Sequence, residues 1–129
     1  MIAKDLMTRD VITAKPTMTV RNLAAVLIKN QISGAPVASK NGRIIGVVSE
    51  ADILSKKGKV VRAIMSKKVI RVSEDTPVEE VAKLMMTHKI NRIPVFRGNE
   101  LVGIISRADV VGAIAMGKHV ALYTPVYDL

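Results

Sequence analysis

The feature that most constrains this chain is internal: its first half is rewritten in its second. Ile32-Ser33-Gly34-Ala35-Pro36-Val37 returns as Ile90-Asn91-Arg92-Ile93-Pro94-Val95. Gly46-Val47-Val48-Ser49-Glu50-Ala51-Asp52 returns as Gly103-Ile104-Ile105-Ser106-Arg107-Ala108-Asp109. Upstream, Met7-Thr8 matches Met65-Ser66, and Val11-Ile12 matches Val69-Ile70. The offset is 58 residues as far as Val37 and Val95, and 57 thereafter. The change falls where residues 38–43 are replaced by 96–100, a turn, which is where duplicated structure best tolerates a length difference. Two copies of one supersecondary unit are therefore expected, at residues 1–58 and 59–116, followed by a tail at 117–129 without counterpart. The length admits one compact domain or two small units that share a core, and units of about 60 residues alone would be marginal.

Each copy carries the same succession of patterns. Val20, Leu23, Ala24, Leu27 and Ile28 recur at helical spacing, as do Val78, Val81, Ala82, Met85 and Met86. Thr76-Pro77-Val78-Glu79 reads as an N-cap, a first-turn proline and a capping-box acid. Thr17 and Thr19 both qualify as cap of the first helix. Two apolar runs joined by Asn-Gly or Gly-Asn follow each helix, a hairpin signal; in the second copy they are residues 93–96 and 101–105. A second helix should begin at Ser49 and at Ser106, and a further short strand is expected around Val11-Ile12 and Val69-Ile70. The fold class is α+β.

Composition narrows the partners. Hydrophobic residues make up 49% of the chain and aromatic ones 2%, so the core must be aliphatic, with seven Met as adaptable filler. There is no Cys, which removes disulfides, thiolate metal sites and thiol nucleophiles. No apolar run is long enough for a signal peptide or a bilayer span, so a cytoplasmic protein without membrane association is expected. Lys and Arg outnumber Asp and Glu by 20 to 11, a net charge of +9 that favours anionic partners. The run Ser55-Lys56-Lys57-Gly58-Lys59 reads as a solvated linker. His88 and His119 lack metal-ligand spacing, and His88 suits a helix C-terminus. No Walker loop or dinucleotide fingerprint is present. Neither a catalytic constellation nor a cofactor site is expected.

The repeated Gly-h-h-Ser-x-x-Asp segment carries the strongest functional signal. A helix starting at Ser49 or Ser106 presents unpaired N–H groups to a phosphate, and the hydroxyl adds a donor. One turn on, Asp52 or Asp109 supplies an acceptor suited to the two hydroxyls of a ribose. The same Ser-x-x-Asp is also a capping pair, and the two readings stand side by side.

Ile-Ser-Gly-Ala-Pro-Val with Gly-Val-Val-Ser-Glu-Ala-Asp resembles a CBS domain, and residues 91–95 with 103–109 resemble a second. Residues 5–8 and 63–66 are similar to the start of such domains, so the likeness runs from about residue 3 to residue 115. The resemblance implies a Bateman module of two β-α-β-β-α repeats around a pseudo-twofold axis, here stand-alone and pairing into a homodimer. It implies two clefts able to bind AMP, ADP, ATP or S-adenosylmethionine, and a regulatory role toward a protein partner. By that likeness one cleft takes Ser106 and Asp109, with Ile12, Thr13, Ile32 and Ser33 around the base. The other takes Ser49 and Asp52, with Ile70, Arg71 and Ile90. Asn91 and Arg92 stand where phosphate contacts are expected, whereas Gly34 matches Arg92 without charge. Arg71 in place of Thr13 would crowd an adenine, so the two sites should differ. A nucleic-acid-binding module and a purely structural dimerisation adaptor are the alternatives; only Phe96, Tyr123 and Tyr127 could stack on bases.

Overall fold

The structure is a computed structural model that describes residues 1–118. The rest of the tail, with His119, Tyr123 and Tyr127, lies outside the described residues. In chain order the elements are α1 (Ala3–Leu6), α2 (Val20–Asn30), β1 (Gly34–Ala38), β2 (Ile44–Ser49), α3 (Glu50–Ser55), α4 (Val61–Ile64), β3 (Val72–Ser73), α5 (Val78–His88), β4 (Arg92–Arg97), β5 (Glu100–Ser106) and α6 (Arg107–Ala115). The α+β class and the duplicated order of elements stand as expected.

The compact units are offset from the sequence repeats. One unit is Val11–Val69; the other joins Met1–Asp10 to the chain from Ile70 onward. Each unit thus takes the helix and hairpin of one repeat and the Met-Thr or Met-Ser segment that opens the other.

In the unit Val11–Val69, β1 and β2 form an antiparallel hairpin whose turn uses Gly42 at φ 82°, a conformation that glycine adopts without a Cβ penalty. Ala14 bridges Val37 in parallel: its N–H donates to the Pro36 carbonyl at 2.9 Å, and its carbonyl accepts from Ala38 at 2.9 Å. On the other edge Ser66 and Val47 exchange backbone hydrogen bonds of 2.8 and 2.9 Å. Helix α2 is capped by Thr19, whose hydroxyl accepts from the Asn22 N–H at 3.1 Å. Ala14, Leu23, Leu27, Val37, Val48, Val61 and Ile64 form the core. The helical spacing read for α2 is borne out at Leu23 and Leu27, while Ile28 faces outward.

The other unit follows the same plan. Here β3 pairs in parallel with β4, and β4 in antiparallel with β5. Thr8 and Ile104 exchange backbone hydrogen bonds of 2.9 and 3.0 Å, the counterpart of Ser66 and Val47. Met7, Val72, Val78, Val81, Met85, Ile93, Val95, Ile105 and Val110 lie in one core with Ala3. All buried side chains among the described residues are apolar or small.

Two expectations need correction, and two short helices were not foreseen. Thr76 does not cap α5: the N-cap is Pro77, without a side-chain hydrogen bond, and the Thr76 hydroxyl instead accepts from the Ser73 N–H at 3.0 Å. The hydroxyl closes the preceding turn, which competes for the same group. The short early strand is not at Val11-Ile12 or Val69-Ile70 but two to three residues later, at Ala14 and Val72–Ser73. Finally, α1 and α4 are single turns that periodicity could not reveal; both are four residues long.

Arg97 holds Glu74 by two parallel bonds of 2.9 and 3.1 Å. This guanidinium lowers the Glu74 carboxyl below the ordinary carboxylate range. A depressed acid stabilises the fold fully above its unfolded pKa and loses that contribution as the pH falls through its folded value. The melting-temperature gap between wild type and Glu74→Gln should therefore be present at neutral pH and close below about pH 4. A gap independent of pH would contradict this.

Candidate functional site

The two Ser-x-x-Asp segments fold alike. Ser49 and Ser106 leave their strands in extended conformation and become the N-caps of α3 and α6. The Asp109 N–H donates to Ser106 Oγ at 3.1 Å, and the Ser106 N–H donates to Asp109 Oδ2 at 2.8 Å. The Asp52 N–H donates to Ser49 Oγ at 3.4 Å, and the Ser49 N–H to Asp52 Oδ2 at 2.9 Å. Both are reciprocal capping boxes, so the capping role is real.

What the caps leave over is the chemistry. The Glu50 N–H is taken by the Ser33 carbonyl at 2.9 Å, and the Arg107 N–H by the Asn91 carbonyl at 2.8 Å. The next donors, the N–H groups of Ala51 and Ala108, have no protein acceptor among the described residues. Asp109 Oδ1 likewise has no hydrogen-bond or ion-pair partner among the described residues. The start of α6 therefore offers an anion donor and a carboxylate oxygen on adjacent residues, the pair that a phosphate and a ribose need.

Within each unit the strand register gathers further residues named from the sequence. Gly34 stands opposite Ser49, and Arg92 opposite Ser106. The segments before β1 and β4 therefore run to the helix caps: Ile32 and Ser33 are half-buried beside α3, while Ile90 is half-buried and Asn91 exposed beside α6. Arg92 is half-buried. Ile12 and Ile70 are half-buried, and Thr13 is exposed, in the extended segments ahead of Ala14 and Val72. Arg71 does not extend freely: its guanidinium stacks on the Phe96 ring at 4.2 Å, a cation–π contact.

Two features were missed by reading the sequence. Lys56 lies in the exposed linker as expected, but its ammonium sits 2.8 Å from Asp52 Oδ1. The Asp-x-x-x-Lys spacing at the end of a helix was the available signal. The repeated glycines do more than end a strand. A Cβ on Gly46 would meet Met65 Sδ and the Ser66 carbonyl oxygen at 2.8 Å each. One on Gly103 would meet Met7 Cγ at 2.7 Å and Met7 Cβ at 2.9 Å. The Gly and Met-Thr motifs are thus two sides of one close approach.

With this geometry in view, comparison with known proteins is direct. The family described as CBS domain matches residues 3–59 and 61–116. The chain belongs to the CBS domain family and carries two such domains in tandem. Among curated proteins it is 31% identical over 113 residues to L-aspartate semialdehyde sulfurtransferase and 32% over 112 residues to inosine-5'-monophosphate dehydrogenase, both of Methanocaldococcus jannaschii. These matches cover 84% of this chain but only 22% and 23% of those enzymes. Among solved structures, the CBS domain pair of protein MJ0100 in complex with 5'-methylthioadenosine and S-adenosyl-L-methionine has a TM-score of 0.86 at 30% identity. CBSX2 in complex with AMP has a TM-score of 0.84 at 29% identity. Each alignment covers 92% of this chain and 98% of the other. No helix among the described residues is long and apolar enough to cross a membrane.

Proposed function

We propose that this CBS pair is a non-catalytic sensor that binds an adenine nucleotide or S-adenosylmethionine and passes the binding state to a protein partner. The observation that carries the reading is the start of α6, where the capping box and the Asn91 carbonyl leave Asp109 Oδ1 and the Ala108 N–H without a partner among the described residues. Support comes from the relatives: of two structures of the same fold, each about 30% identical, one is in complex with AMP and the other with S-adenosyl-L-methionine and 5'-methylthioadenosine. The proposed contacts are Ser106 and Asp109 for ribose and phosphate, with Asn91 and Arg92 on the phosphate side. Native mass spectrometry of the purified protein, followed by titration with AMP, ADP, ATP and S-adenosylmethionine, tests the reading. A mass shift or saturable binding by one of the four supports it. Their complete failure to bind overturns it.

A homodimer is part of the same proposal. Ile28 and Leu54 are 75% and 87% exposed on the packed pair α2 and α3; Met86 and Val111 are 59% and 63% exposed on α5 and α6. Large apolar side chains grouped on helix pairs are the usual mark of an interface. Light scattering should give twice the 14.0 kDa chain mass at micromolar concentration; the monomer mass would count against it.

A further inference from the structure

We propose that Lys56 withdraws the Asp52 carboxylate from ligand binding, so that the chain holds its nucleotide at Asp109 and takes a second only weakly. This rests on the adenine-nucleotide reading above. The capping box uses Asp52 Oδ2, which accepts from the Ser49 N–H and hydroxyl at 2.9 and 3.3 Å. The remaining oxygen, Oδ1, is the one that Lys56 occupies at 2.8 Å. The same ammonium donates to the Ile64 carbonyl at 3.1 Å, the last residue of α4, so the lysine is held from two sides. Helix α3 stops at Ser55, which places Lys56 where its side chain folds back over the helix.

The other repeat has no such group. The residue four beyond Asp109 is Ala113, buried within α6, which continues to Ala115. The Lys56–Ala113 difference therefore makes one carboxylate self-satisfied and leaves the other with an open oxygen. A ribose arriving at Asp52 must displace an ion pair in which both partners are charged, and replace it with hydrogen bonds in which only the carboxylate is charged. At Asp109 it replaces only water.

The test is calorimetric titration of AMP and of the uncharged nucleoside 5'-methylthioadenosine into wild type, Asp109→Asn, Lys56→Met and the double variant Lys56→Met/Asp109→Asn. Methionine keeps the length of the lysine stem, and thermal melts confirm that each variant is folded. Wild type should show one strong equivalent per chain, which Asp109→Asn weakens at least tenfold. The double variant should then bind the uncharged nucleoside roughly fivefold more tightly than Asp109→Asn alone, the scale of releasing a half-exposed ion pair. Equal affinity of those two proteins overturns the proposal. Weaker binding by the double variant also overturns it and makes Lys56 a ligand contact. Two equal equivalents in wild type, one surviving in Asp109→Asn, overturn the role of Lys56 while leaving the nucleotide reading intact. Absence of any binding by wild type removes the nucleotide reading, and this proposal with it.

Discussion

Gly103→Val is expected to destabilise the chain by about 3 kcal/mol, the upper range for overpacking a filled core. Gly103 is buried in β5 against Met7, which is itself only 8% exposed. The first added carbon would already stand 2.9 Å from Met7 Cβ, an atom fixed to the backbone that cannot swing away. The Met7 segment would have to leave β5, and the exchanged hydrogen bonds between Thr8 and Ile104 would go with it. Chemical denaturation measures the loss. Met7→Ala in the same chain should return part of it, a coupling that a double-mutant cycle isolates. Gly112→Ala is the contrasting control: nothing lies within 4 Å of its added carbon inside α6, so a gain of about 0.5–1 kcal/mol is expected. A Gly103→Val protein as stable as wild type would refute the close approach.

That contact also shows what a sequence of this kind makes legible. The repeat, the helix faces at Leu23 and Val81, the Asn-Gly and Gly-Asn hairpins and the caps at Ser49 and Ser106 are local patterns, and all appear where periodicity and turn chemistry put them. The destination of Met7 is not local. Its segment resembles Met65, and nothing in either stretch states that each packs on the glycine of the other repeat. Such pairings are tertiary contacts between residues almost 100 positions apart for Met7 and Gly103, and about 20 apart for Met65 and Gly46. Thr76 failed for a related reason: one hydroxyl could serve either the helix or the turn before it, and the turn prevailed. At the candidate site, the Ser-x-x-Asp pair could be placed from its spacing alone. Which carboxylate remains available could not, because it depends on where Lys56 folds.

Asp109→Asn should weaken adenine-nucleotide binding by about 1.5–3 kcal/mol, roughly tenfold to a hundredfold, the scale of hydrogen bonds to a charged group. Asparagine keeps one carbonyl oxygen for the Ser106 N–H, so the cap at α6 survives and the melting temperature should move little. Asp109→Ala removes both functions. It should lose the same affinity and in addition about 1 kcal/mol of stability from the broken cap. A purely capping aspartate would reverse this pattern: Asn would be silent in binding, and Ala would cost stability alone.

Calorimetric titration of AMP and S-adenosylmethionine into the chain at physiological salt separates a nucleotide sensor from a nucleic-acid-binding surface. A nucleotide sensor gives saturable binding of at least one ligand, weakened in Asp109→Asn and preserved when Lys57, Lys59, Lys67 and Lys68 are neutralised, because few contacts are concentrated on one small molecule. A nucleic-acid surface would spread its phosphate contacts over those lysines and weaken steeply with salt. Tight binding to a defined nucleic acid at that salt, with no heat from AMP or S-adenosylmethionine, would mean that the chain is not a nucleotide sensor.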